Sequence, residues 1–209
     1  MSTNADLISR ALMHLGNRTS YRSTVLSCFK GWVKKQERGA LLPWFLEKET
    51  SGLETVAAQD YIALPDDYLR HLDEGVVLVE DSSGVEHKVV KTPSLDRLLV
   101  DTREGMPEAY YLFAGRIYLR PIPDAIYPFR FFYYRKSVVL DDSDTETTDW
   151  ALEAEDAVIF GGAAIFASTV MMNQKLTAAL EKQENMAMTN LWIANEARIH
   201  TGQEYGIED

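Results

Sequence analysis

Leu7, Ile8, Ala11, Leu12 and Leu15 recur at the three- and four-residue spacing of one helix face, and Gly16-Asn17 stops the run. Thr3 and Asp6 ahead of it have the spacing of a capping box. Tyr21, Val25, Cys28, Phe29 and Trp32 repeat the helical pattern with Lys and Arg opposite, and Gly39 terminates it. Residues 1–40 therefore read as two amphipathic helices joined by a short polar loop.

Beyond residue 41 the period changes. Trp44-Phe45-Leu46 precedes a polar break at Glu49-Thr50-Ser51-Gly52, and residues 55–64 read as an extended segment closed by Pro65, with ALPDDYL marking the strand's end. Residues 75–79 and 85–90 flank Asp81-Ser82-Ser83-Gly84 as a hairpin, and Thr92-Pro93 opens a short helix bearing Leu95, Leu98 and Leu99. Aromatic side chains crowd into residues 110–140, which read as a three-stranded meander. Gly115 supplies the first reversal, and Pro121, Pro123 and Asp124 the second. In the third strand Phe129, Phe131 and Tyr133 alternate with Arg130, Phe132 and Tyr134, so both faces carry large apolar surface that calls for cover.

Residues 141–149 form a polar acidic linker. Leu152, Ile159, Ala163, Phe166 and Val170 then predict one long helix, with Glu153, Glu155 and Asp156 in its first turns, where the helix dipole favours negative charge. Gly161-Gly162 costs about 1 kcal/mol per glycine against alanine inside a helix, which points to the close approach of a neighbour. Leu176, Leu180, Ala187, Leu191 and Ala194 predict a second long helix, and residues 200–209 have no period. The expected fold is α+β: a four-helix core built from residues 1–40 and 141–199, an antiparallel β-rich insertion over residues 41–140, and a tail at 200–209.

Composition narrows the function. With 46% hydrophobic and 25% charged residues among 209, the chain is an ordinary globular protein. It has no run of about 18 apolar residues and no signal-peptide pattern at its start, so a protein that is cytosolic where it is made is expected. The net charge of −11 argues against binding that works by neutralising phosphates. Charge is nonetheless polarised. Arg22, Lys30, Lys34, Lys35 and Arg38 form a basic helical face while residues 141–156 are acidic, which suits head-to-tail contact between copies at least as well as a nucleic-acid patch.

The chemical candidates are few. Asp142, Asp144, Glu146 and Glu153 fall on coordinating places of a calcium loop, but Thr147 stands where that loop needs glycine, so no metal site is expected. Cys28 and the scattered His14, His71, His87 and His200 show no catalytic or metal-ligand spacing, and no nucleotide-binding or hydrolase motif is present. No cofactor and no catalytic residue is expected. Arg116, Tyr118, Arg120, Arg130, Tyr134 and Arg135 interleave cations with aromatic rings, a composition of protein interfaces and also of single-strand binders; the acidic balance favours the former. Met171, Met172, Met186 and Met188 read as gap-filling packing between the last two helices.

The order of these features, with ALPDDYLRH followed by GRIYLRPIPDAIYPFRFFYY, resembles the head-to-tail adaptor proteins of tailed bacteriophages, of the tail tubular or tail accessory type. The resemblance spans residues 41–195. It departs at Ala154-Glu155-Asp156, where a Pro-Asp turn would be expected. It implies a non-enzymatic virion protein made in the host cytoplasm: a homo-oligomeric ring, commonly of twelve copies, at the head-tail junction, bound to the portal protein and to a tail nozzle or tail tube protein, with DNA passing through and no membrane involved. The competing readings are a metal-dependent hydrolase using the acidic linker and a nucleic-acid-binding regulator using the Arg/Tyr sheet. Tyr205 and Ile207 in the tail are either anchors for the portal or part of a frayed terminus, and Arg116, Arg130 and Tyr134 are the expected partner-binding residues of the sheet.

Overall fold

The capping box expected at Thr3 is present in the computed structural model, which describes residues 3–72, 77–142 and 147–203. Thr3 Oγ1 accepts from the Asp6 N–H at 3.3 Å, and Asp6 Oδ2 accepts from the Thr3 N–H at 2.9 Å. Helix α1 (Asn4–His14) buries Leu7, Ile8, Ala11 and Leu12, and Gly16 and Asn17 turn the chain with positive φ. Helix α2 (Arg22–Glu37) follows a 3-10 turn and buries Val25, Cys28, Phe29, Trp32 and Val33. The protein is α+β, and it divides into two units, one formed by Met1–Leu46 with Ser137–Asp209 and the other by Glu47–Lys136.

In the first unit the expected single helix after the linker is two. Helix α4 (Asp149–Glu153) is capped by Thr148, and α5 (Glu155–Thr169) restarts after Ala154 leaves helical geometry at φ −137° and ψ 37°. A short helix α3 belongs to the other unit (Leu95–Val100). The break turns Leu152 outward, and Val170 is also exposed, so neither belongs to the buried stripe expected of them. Helix α5 is instead enclosed along most of its length, from Ala157 to Ala167, because α1, α2, α4 and α6 (Gln174–Gln203) all pack on it. A four-helix core, a helical pair plus two long helices, is the expectation from the pattern; the unit is arranged around α5, with α4 as a further short helix.

Gly161 and Gly162 explain how α5 receives α2. A Cβ on Gly161 would lie 2.0 Å from Trp32 Nε1, and one on Gly162 would lie 2.0 Å from Phe29 Cδ1. The neighbour anticipated from the glycine pair is thus a pair of aromatic side chains. Trp32 Nε1 also donates to Glu184 on α6 at 2.7 Å, and its ring meets Trp150 edge-on at 5.3 Å. Helix α6 continues through Gln203, so the first residues of the expected tail are helical; Tyr205 and Ile207 lie outside the described residues. Met172 is 82% exposed and Met186 54%, which corrects their reading as interhelical filler.

The second unit is a curled sheet of eight strands among the described residues: β1 (Glu47–Glu54), β2 (Tyr61–Ala63), β3 (Tyr68–His71), β4 (Val77–Glu80), β5 (Glu86–Lys91), β6 (Ala109–Phe113), β7 (Arg116–Arg120) and β8 (Pro128–Arg135). The order is β1-β8-β4-β5-β6-β7-β2, with β3 also on β8. Among the strands of the described residues, only β5 and β6 pair in parallel. The supposed polar break at residues 49–52 lies inside β1, where a register shift between Thr50 and Leu53, with Gly52 at φ 85°, absorbs it. Polar side chains are tolerated there because β1 ends the sheet order. Within residues 55–64 only Tyr61–Ala63 is strand, and ALPDDYL is the turn into the unforeseen strand β3.

Strands β6 and β7 form the expected hairpin, with Ala114 (φ 48°) and Gly115 (φ 75°) in the two left-handed positions of a tight turn. The third strand does not complete a meander. After Pro121 the chain is fastened to the segment around Thr55, whose N–H donates to Tyr127 O at 3.0 Å and whose hydroxyl donates to Ala125 O at 2.9 Å. It then enters β8, which pairs with β1 on one edge and with β3 and β4 on the other. Phe129, Phe131 and Tyr133 join Val77, Val79, Val89, Tyr110 and Leu119 in one buried core. The opposite face of β8 is half-buried, so the apolar cover anticipated for both faces exists on one.

Candidate partner-binding surfaces

Arg130 sits on the uncovered face of β8, and its cation is neutralised from two strands. Its Nε donates to Glu49 Oε1 on β1 and its Nη1 to Glu86 Oε1 on β5, each at 2.6 Å. These two bonds raise its pKa and hold it protonated. The guanidinium also lies 5.4 Å from the centroid of the Phe132 ring. Tyr134, two residues along on the same face, approaches Glu47 at 3.4 Å; burial pushes the Glu47 carboxyl up, and the tyrosine hydroxyl opposes that shift. Glu49 was the partner that sequence reading missed, since it sits in what looked like a loop. Its signal is the alternation of Glu47 and Glu49, which places both carboxylates opposite Tyr134 and Phe132.

Arg116 belongs to a different place, at the hairpin end of β7, four strands from β8 in sheet order. It is exposed and caps the Tyr61 ring at 4.1 Å, with Tyr118 beside that ring. Arg120 is buried, its Nη2 paired with Asp60 at 2.9 Å and its Nη1 donating to the Leu119 carbonyl, so it leaves the expected Arg/Tyr surface. The interleaved residues therefore form two separated clusters, and the ion pairs of Arg120 and Arg130 weaken any phosphate-binding reading.

The acidic linker is partly tied down. Arg22 Nε donates to both Asp142 oxygens at 2.8 and 2.7 Å, and Asn4 Nδ2 donates to Asp141 Oδ1 at 3.0 Å. The guanidinium bonds hold the Asp142 carboxyl below its ordinary range against the opposing effect of burial. Asp144 and Glu146 lie outside the described residues. A carboxylate already committed to a guanidinium is a poor calcium ligand, which weighs against the hydrolase reading. Arg22 is likewise lost to the basic face, whereas Lys30, Lys34, Lys35 and Arg38 remain exposed.

Among the described residues no three His, Cys, Asp or Glu side chains converge as metal ligands. Cys28 is buried, and burial raises its thiol pKa. His71 is bonded to the buried Tyr110 hydroxyl, and His87 Nε2 to Asp81 Oδ2 at 2.8 Å in the β4–β5 turn. His14 packs against Phe160 at 5.2 Å. No helix among the described residues is long and apolar enough to cross a membrane.

A helical unit and a curled sheet make this a mixed α+β protein. The SU10 adaptor protein family model matches residues 2–200, and the chain belongs to that family. No significant match is found among curated proteins. The family supports a structural adaptor of a bacteriophage, a virion component that interacts with other head and tail proteins, and it favours a structural over a catalytic role. The match takes in the N-terminal helical pair, which the resemblance carried by residues 41–195 did not reach.

Proposed function

We propose that the chain is the head-to-tail connector of a tailed phage, assembling as a ring of about twelve copies below the portal and passing DNA from the filled head into the tail nozzle or tube. The observation that carries this reading is membership of the adaptor family over residues 2–200. The net charge of −11 supports it, since an acidic channel repels phosphates and lets a duplex slide. Arg116, with its Tyr61 platform, and the Arg130–Tyr134 cluster are the sheet's contacts with neighbouring proteins. Tyr205 and Ile207 are anchors for the portal.

Native mass measurement of the purified chain, alone and with the matching portal, tests this directly. The chain alone is expected to be mainly monomeric, and addition of portal to yield a closed ring bound to it. Failure of chain and portal to co-assemble at micromolar concentration would overturn the connector reading.

A further inference from the structure

Six of the 21 basic side chains of this acidic protein are spoken for by carboxylates among the described residues. Arg10, Arg22, Arg103, Arg120, Arg130 and Lys48 each have a carboxylate within ion-pair distance. Lys30, Lys34 and Arg38 are different. They recur every fourth residue along the exposed stripe of α2, with Lys35 beside them, and none has an ion-pair partner among the described residues. Glu37, the carboxylate closest to them in sequence, is occupied by Ser137, whose N–H and hydroxyl both donate to its Oε1, at 2.9 and 2.5 Å.

That junction brings apolar surface to the same end of α2. Val138 and Val139, which follow Ser137, are 59% and 70% exposed, and Leu41, four residues after Glu37, is 68% exposed. A surface joining unpaired cations to exposed aliphatic side chains fits a peptide that carries carboxylates and apolar groups together; a phosphate backbone would engage only the cations. Residues 204–209, Glu-Tyr-Gly-Ile-Glu-Asp, have that composition: three carboxylates, no cation, and Tyr205 and Ile207 spaced to share one side of an extended chain.

Their starting point is close by. The Trp44 N–H donates to Asn195 Oδ1 at 3.0 Å, and the Arg198 guanidinium lies 4.3 Å from the centroid of the Trp44 ring, so the last part of α6, five residues before its end at Gln203, is held against a residue three positions beyond Leu41. Six extended residues reach about 20 Å. We propose that residues 204–209 fold back onto their own copy, seating Tyr205 and Ile207 against Leu41, Val138 and Val139 and their carboxylates against Lys34 and Arg38. Held this way the anchors are shielded in a free copy, and a portal groove must compete for them.

The test is fluorescence anisotropy with a labelled peptide of residues 203–209 and the full chain as acceptor. The peptide should bind the full chain carrying Tyr205→Ala and Ile207→Ala, whose own segment is undocked, at least tenfold more tightly than it binds the wild type. Adding Lys34→Glu and Arg38→Glu to that acceptor should weaken binding at least tenfold, and a peptide with Glu204→Lys and Glu208→Lys should recover it. Equal weak binding to both acceptors, or binding indifferent to charge reversal, would overturn the proposal. Concentration-dependent self-association of the wild type that these same variants abolish would move the segment to a second copy and overturn docking in cis. Saturable binding of a short duplex DNA through the same cations at physiological salt, with none of the peptide, would assign the stripe to phosphates. Peptide binding is read without portal, so its failure is separable from failure of the connector reading.

Discussion

Gly161 and Gly31 are the same residue type in helices that pack together, yet the same substitution at each should act in opposite directions. Alanine is favoured over glycine in a helix by about 1 kcal/mol. At Gly31, exposed on α2 with nothing within 4 Å of the missing Cβ, that preference acts alone, and Gly31→Ala should raise stability by up to about 1 kcal/mol. At Gly161 the new methyl would meet the rigid indole of Trp32, which is fully buried and cannot withdraw, so overpacking of about 1 to 3 kcal/mol or more outweighs the helix preference. Urea unfolding of the two variants checks both signs, and a Gly161→Ala chain as stable as wild type would show that α2 and α5 do not meet as described. The glycine pair was legible as a contact point in sequence. Which side chains filled it was not, because Phe29 and Trp32 are more than 120 residues away along the chain.

At the scale of elements, the acidic linker shows how a stretch read as solvated becomes structural. Asp142 is clamped by Arg22 at the start of α2, and that clamp ties the segment preceding α4 to the helical pair. Its carboxyl titrates below the ordinary aspartate value in the folded protein, so its contribution is fully present above the unfolded pKa and is lost as pH falls through the lower folded one. Thermal melts of wild type and Asp142→Asn should therefore differ at pH 6 and converge as pH drops below about 4. A gap that persists undiminished at pH 2.5 would mean that the Asp142 charge is not what the clamp uses. The break between α4 and α5 is a related case. Apolar periodicity runs on through Ala154, and only the packing of Trp150 against Trp32 and Phe45, on a helix set apart from α5, requires the interruption.

For the whole molecule, charge is the property most directly inherited from sequence. With 32 acidic and 21 basic residues, affinity for duplex DNA at physiological salt should be weak and without sequence preference, as read by anisotropy with unrelated duplexes of equal length. A nanomolar, sequence-specific complex would replace the connector reading by a regulator. The sequence by itself determined the α+β class, the first helix and its capping box, the β6–β7 hairpin and the alternation of β8, because each rests on neighbours within a few residues: a cap, a left-handed turn, a period of two or of 3.6. It also carried the family resemblance. Only the tertiary structure decided that β8 joins β1, β3 and β4 instead of β7, that polar β1 is a strand at all, that Arg120 is interior, and that α5 is the axis of its unit. Those outcomes depend on which distant edge or face is left open when the chain collapses. Strand pairing through backbone groups common to every residue leaves no local period by which a partner could be named in advance.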